Sequence, residues 1–429
     1  MKTRNGFALC LLALPLAGGV AGAQSNFYLK DGDRVVFYGD SITDQRLYTT
    51  FAETYVVTRF PKMNVTFVHS GWGGDRVTGG GGGPIDLRLK RDVFAWKPTV
   101  VTVMLGMNDG NYRAYDDGTF NTFATGYQHI VTAIKSAFPT VRMTLIEPSP
   151  YDDVTRAPNF EGGYNAVLVR YGNYLKELAQ KENLQTADLN TPVVAALEKA
   201  KTLDTPPPAK PGDPTLPQRL LPDRVHPGPG GHLLMAEALL KAWNAPALVS
   251  RVEINVASAS ASAQSENGRV SQVDWKEGVL GWTEIDNALP MPMDTNDAPL
   301  ALAVRASDVV EALDQQPLKV TGLSAARYAL AIDGKPIGDF TKEQLADGIN
   351  LATLPTPMLK QAFEVHDFTR MHNDLHFTRW RVIQVPHQDA LDTFYVKTLA
   401  ALDRAEDEIV KQQRAAAQPK PHRFELKPR

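Results

Sequence analysis

The chain has 429 residues, 43% of them hydrophobic and 22% charged, with a formal net charge of −3. That length exceeds one ordinary core, and the composition is that of a globular protein, which excludes a disordered or fibrous one. There is no basic excess to draw in phosphate backbones, so nucleic acid is excluded as an expected partner.

In chain order, the first element reads as a signal peptide over 1–23. Lys2 and Arg4 form a charged start, Phe7 to Val20 is apolar, and Ala21-Gly22-Ala23 resembles a cleavage site. The apolar run is short for a membrane span and ends in small residues, so no integral membrane association is expected after cleavage. Cys10 is the single cysteine and lies in the segment removed. Disulfides, thiolate metal sites and cysteine nucleophiles are therefore excluded from the mature chain. The expected location is outside the cytoplasm, periplasmic or extracellular.

From Asp33 to about Ser250, short apolar runs alternate with amphipathic stretches. Strands are expected at Arg34–Tyr38, Val65–Val68, Thr99–Leu105, Val141–Ile146 and Gln185–Leu189, with helices at Leu47–Arg59, Phe120–Ala137, Tyr164–Glu182 and Gly231–Trp243. Continuous apolar strands separated by helices imply a parallel sheet covered on both faces, hence a doubly wound α/β/α sandwich. Sites in such folds lie beyond the carboxyl ends of the strands. After Ser250 the pattern changes. Residues 251–350 read as a small β-rich module with a hairpin turn at Asp333-Gly334 and a short helix capped by Thr341 and Gln344. Residues 351–417 read as a helical segment, and 418–429 as a flexible tail.

Four segments carry chemistry. Gly39-Asp40-Ser41 follows the first strand and opens a helix, where backbone N–H groups favour negative charge. Taken alone, it reads more readily as a turn capped by Asp40 or Ser41. His69-Ser70-Gly71-Trp72-Gly73-Gly74-Asp75 follows the second strand, and its glycines let the backbone approach a ligand. Gly106-Met107-Asn108-Asp109 ends the strongest strand and offers a neutral side-chain donor, although an Asx-turn has the same look. Asp223-Arg224-Val225-His226 precedes a helix and sets a carboxylate three residues before an imidazole. Each is weak alone, but they occur in order, three of them after strands of one sheet.

Together these blocks resemble the SGNH (GDSL-like) hydrolases over about 28–250, with Ile42 following Gly39-Asp40-Ser41 in place of leucine. The resemblance implies a three-layer, flavodoxin-like catalytic domain over 24–250 and a serine esterase needing neither metal nor cofactor. Ser41, His226 and Asp223 are then the expected triad. The N–H groups of Ser41 and Gly74 and the side chain of Asn108 are the expected oxyanion donors, with Gly73 the alternative to Gly74. Asp40 and Asp109 are expected in support. Tyr151, Asp152 and Arg156 lie in the loop after the fourth strand, and Tyr151 and Arg156 are expected at the rim of a polar substrate site. The substrate expected is an acylated small molecule or polysaccharide, foremost an O-acetylated carbohydrate. The alternatives are a lysophospholipase or short-chain lipid esterase, and a non-catalytic glycan-binding protein on the same frame. His366, His372 and His376 lack an HExxH pattern, so an interface role is expected of them rather than metal binding.

Overall fold

The computed structural model describes residues 26–257, 260–388 and 393–429. The expected signal peptide lies outside the described residues. Five parallel strands form the first sheet: β1 (Arg34–Gly39), β2 (Thr66–Gly71), β3 (Val100–Met104), β4 (Arg142–Ile146) and β5 (Gln185–Ala187). Their order is β2-β1-β3-β4-β5. The helices of this region are α1 (Ser41–Asp44), α2 (Leu47–Arg59), α3 (Asp117–Ala137), α4 (Gly163–Glu182), α5 (Thr191–Thr202) and α6 (Pro229–Ala242). Every residue of β3 is buried, which is why that run shows no polar alternation. Chain direction across the sheet reverses between β1 and β3, and this crevice is where α/β folds gather ligands. The doubly wound sandwich is present as expected.

Beyond it lie β6 (Arg251–Ala257), β7 (Ser260–Glu266), β8 (Gly268–Lys276), β9 (Val279–Asp286), β10 (Pro317–Thr321), β11 (Arg327–Ile332), β12 (Lys335–Thr341) and β13 (His422–Pro428). They make two sheets, β8-β9-β13-β11-β12 and a second built on β10-β6-β7, around their own apolar core. The turn at Asp333-Gly334 has both residues at positive φ, as a tight hairpin demands. Thr341 and Gln344 form the reciprocal capping box that their spacing implied.

Two expectations need correction. The stretch 251–350 is not uniformly β-rich. Helices α7 (Ala298–Ala306) and α8 (Val309–Leu313) bury Leu302, Ala303, Val309 and Leu313 in the core of the first sheet's region. Nor is 418–429 a loose tail: β13 is the central strand of its sheet, with Phe424 and Leu426 fully buried. Its alternation is too short and too charged to stand out in sequence.

Past the short helix α9 (Lys342–Asp347), the C-terminal helices α10 (Pro357–Phe377) and α11 (Thr393–Ala416) pack together, and α10 lies on α2. Covered on both sides, α2 is buried almost throughout, including Glu53 and Arg59. Glu53 meets His69 of β2 at 3.2 Å and His372 of α10 at 3.1 Å, and Glu406 of α11 meets His372 and His376. His366 bonds Thr54, so all three histidines serve this helix interface. Burial opposes charge on Glu53, His372 and Glu406, but their mutual attraction outweighs it, whereas burial pulls His69 and His366 down to about 4. His372 is pushed up to about 10, Glu406 is pulled down to about 2, and Glu53 is pulled well down. The carboxylates therefore stabilise the fold fully above about 4.5 and lose this contribution as pH falls. The imidazolium contributes fully below about 6.5 and loses it as pH rises through about 10. The melting temperature is expected to decline below pH 4.5, and Glu53→Gln to flatten that acid limb. An unchanged acid limb in this variant counts against the network.

Candidate active site

Ser41 is the first residue of α1, placed directly after β1 by the turn at Asp40. The Asp40 carboxylate accepts the Ile42 N–H at 3.0 Å, so Asp40, not Ser41, caps the helix. The Ser41 N–H, at the first helical position, has no carbonyl one turn back to reach. The Ser41 Oγ lies 2.8 Å from His226 Nε2, and His226 Nδ1 lies 2.7 Å from Asp223 Oδ2. A carboxylate facing Nδ1 places the ring proton there, which leaves the Nε2 lone pair facing the serine hydroxyl.

One turn holds Asp223 and His226. Asp223 Oδ1 accepts the N–H groups of Val225 and His226 at 3.0 and 2.7 Å. Burial would raise the Asp223 carboxyl, but these bonds and the imidazole hold it below its usual value, so it remains charged. Arg224 turns the chain through a left-handed φ of 74°. The loop after β4 braces this turn. Arg156 donates to the carbonyls of Leu221 and Pro222 at 2.9 and 2.7 Å and pairs with Asp152, whose own N–H bonds the Arg224 carbonyl. Tyr151 is 6% exposed and its hydroxyl accepts from Asn159. Tyr151 and Arg156 are therefore not the free rim groups expected; Arg156 and Asp152 steady the Asp223–His226 turn. Their separation of about 66 residues in sequence hides this role.

The glycine loop after β2 runs beside Ser41. A Cβ built on Gly73 would stand 4.0 Å from the Ser41 Cβ. The Gly73 N–H is already bonded to Asp44 Oδ2 at 3.2 Å. The Gly74 N–H has no partner among the described residues, and its φ of 77° is one a side chain rarely tolerates. Below, Asp75 pairs with the fully buried Arg88 at 2.7 Å, and Arg88 also bonds Asp92 and the Ser70 carbonyl. The next block is tied to this loop twice. Asn108 Nδ2 donates to the Asp75 carbonyl at 3.1 Å, and Asp109 Oδ1 accepts the Val77 N–H at 3.0 Å. Burial pushes Asp40 up to about 7 and Asp109 up to about 6. Both sit beneath the site, as supports of the backbone that carries it.

Several contributors were not visible in the sequence reading. Asp44, one turn after Ser41, was within reach of helix spacing. Arg88 and Tyr112, which donates to Asn108 Oδ1 at 2.8 Å, gave no signal. From the C-terminal region, Trp380 bonds Asp92 at 2.6 Å and Arg381 lies over the Trp72 ring. His232, near His226, bonds the Tyr48 N–H and Gln45. Burial pulls it down to about 3, so it stays neutral and apart from the proton relay.

A hydroxyl, an imidazole and a carboxylate in this sequence can pass a proton from the hydroxyl and leave an alkoxide-like attacker. Unbonded N–H groups beside the hydroxyl can receive a developing negative charge. Comparison with known proteins supports an ester hydrolase. Residues 37–234 match the GDSL-like Lipase/Acylhydrolase family. An acetylxylan esterase of Geobacillus stearothermophilus is 25% identical over 232 residues, which are 49% of this chain and 93% of that protein. A solved gut microbial diltiazem-metabolizing enzyme is 26% identical, with a TM-score of 0.79 over 94% of this chain and 100% of that one.

Proposed function

From an α/β domain of the GDSL-like lipase/acylhydrolase family, we propose that the protein is an exported serine esterase that removes acetyl groups from carbohydrate. The observation that carries the serine mechanism is the 2.8 Å and 2.7 Å relay from Ser41 through His226 to Asp223. In this mechanism His226 takes the Ser41 proton as Oγ attacks the ester carbonyl. The tetrahedral oxyanion is held by the N–H groups of Ser41 and Gly74 and by Asn108 Nδ2. His226 then protonates the departing sugar hydroxyl, leaving an acetyl-enzyme. Water, deprotonated by the same imidazole, releases acetate and restores Ser41.

The acetyl preference draws on the acetylxylan esterase relative, whose length the match nearly spans. Export draws on the pattern of residues 1–23. A second reading, hydrolysis of small non-carbohydrate esters, is favoured by the diltiazem-metabolizing relative, which matches almost the whole chain. Rates on p-nitrophenyl acetate, butyrate and octanoate, with acetate release from acetylated xylan and acetylated pectin and hydrolysis of a lysolipid, separate these readings. Acetate is expected to exceed octanoate by roughly tenfold or more, since a pocket shaped for a small acyl group discriminates steeply per methylene. Faster turnover of octanoate or lysolipid overturns the acetyl reading. Turnover of p-nitrophenyl acetate without release from either polysaccharide favours the second reading.

A further inference from the structure

The partners of Asn108 assign its amide. A backbone carbonyl only accepts, so the atom 3.1 Å from the Asp75 oxygen is Nδ2, and the Tyr112 hydroxyl then donates to Oδ1 at 2.8 Å. One Nδ2 proton is used in this way, and the other has no partner among the described residues.

The segment that delivers this hydroxyl is unusual. Asn111 and Tyr112 both adopt left-handed φ values, 55° and 56°. Asparagine tolerates that region, but an aromatic residue rarely enters it unless its surroundings force it there. Here they do. The Tyr112 ring packs on Tyr164 at 5.1 Å and on Tyr151 at 6.2 Å. Arg76 donates to Asn111 Oδ1 at 2.7 Å. Gly110 lets Tyr164 press close: a Cβ there would stand 2.5 Å from the Tyr164 hydroxyl, which bonds the Met107 carbonyl. Tyr112 is 40% exposed, yet partial desolvation around its hydroxyl and the nearby Asp40 push the phenol up to about 12, so it keeps its proton at working pH.

We propose that Tyr112 is a positioning residue of the oxyanion hole, whose hydroxyl locks the Asn108 amide with its free N–H available to the charge that forms at Ser41. Without that bond the amide is held on one side only, by Asp75. It then samples rotations that present Oδ1, an acceptor, to a developing negative charge. The inference rests on Ser41 being the nucleophile. It deepens that reading by assigning a residue that acts only through Asn108.

Tyr112→Phe keeps the ring and its packing and removes one hydroxyl. On p-nitrophenyl acetate, Asn108→Ala is expected to lower kcat by about 10²–10³-fold, as loss of an oxyanion donor does elsewhere. Tyr112→Phe is expected to lower it about tenfold, less because Asp75 still holds the amide, with KM and melting temperature unchanged. The decisive arm is the pair: Tyr112→Phe is expected to cost nothing further in the Asn108→Ala background. An equal loss in both backgrounds, a loss confined to KM, or a single variant as fast as wild type overturns the proposal. Fluorophosphonate labelling separates it from the underlying reading. If wild type and Ser41→Ala label equally, the serine mechanism fails and the proposal with it. If only wild type labels and Tyr112→Phe is as fast, the proposal fails alone.

Discussion

Ser41→Ala is expected to lower kcat on p-nitrophenyl acetate by about 10⁴–10⁶-fold and to abolish fluorophosphonate labelling. His226 Nε2 has the Ser41 hydroxyl as its hydrogen-bond partner at 2.8 Å, so its removal leaves the base with nothing to activate but water. Residual turnover is expected from the proposed oxyanion donors, which the substitution leaves in place. Stability is expected to hold, because the helix cap is the Asp40 carboxylate and, among the described residues, the Ser41 hydroxyl bonds only His226. Activity and folding are thus separable here, and a normal melting curve makes the activity loss interpretable. Labelling of the variant at the wild-type rate excludes Ser41 as nucleophile.

Deleting residues 418–429 is expected to unfold the second core, with the truncated chain recovered largely insoluble. The deletion removes β13, which pairs with β9 through Leu280–Glu284 and with β11 through Tyr328–Ile332. Two central strands would become open edges, each a row of unpaired backbone groups and a template for aggregation. The core would also lose Phe424, stacked on Trp282 at 5.0 Å, and Leu426. Phe424→Ala tests the packing part alone, with an expected cost of about 3–5 kcal/mol. A truncated protein that melts like wild type would show that β13 contributes little. The loss is expected to reach the active site as well. Gln361 of α10 bonds the carbonyls of Ala416 and Gln418, at the entry to this strand, and α10 lies on α2, which follows Ser41.

The parts of the site that lie close in sequence were the parts that could be read from it. Asp223 and His226 share one turn, and their spacing implied it. Ser41 and Asn108 follow strands β1 and β3, whose apolar runs were plain, and parallel strands put both at one sheet edge. The order β2-β1-β3-β4-β5 then sets them on either side of the reversal point. The choice between Gly73 and Gly74 was not readable, because it depends on Asp44 occupying the Gly73 N–H from a different element.

By itself the sequence determined a doubly wound sheet and the residues of the hydrogen-bonded relay at its edge, because periodicity and tight turns are local properties. Tertiary structure alone decided what holds them. Arg156, expected at the substrate rim, and Arg88, which gave no signal in the sequence, are braces beneath the site. Tyr112 orients Asn108 only because a left-handed loop aims its hydroxyl there. The terminal dozen residues form a central strand because β9 and β11 offer it two edges. Each of these depends on groups meeting across the fold. Such meetings leave no period in the chain, since a charge buried by a distant partner is spelled like one facing water.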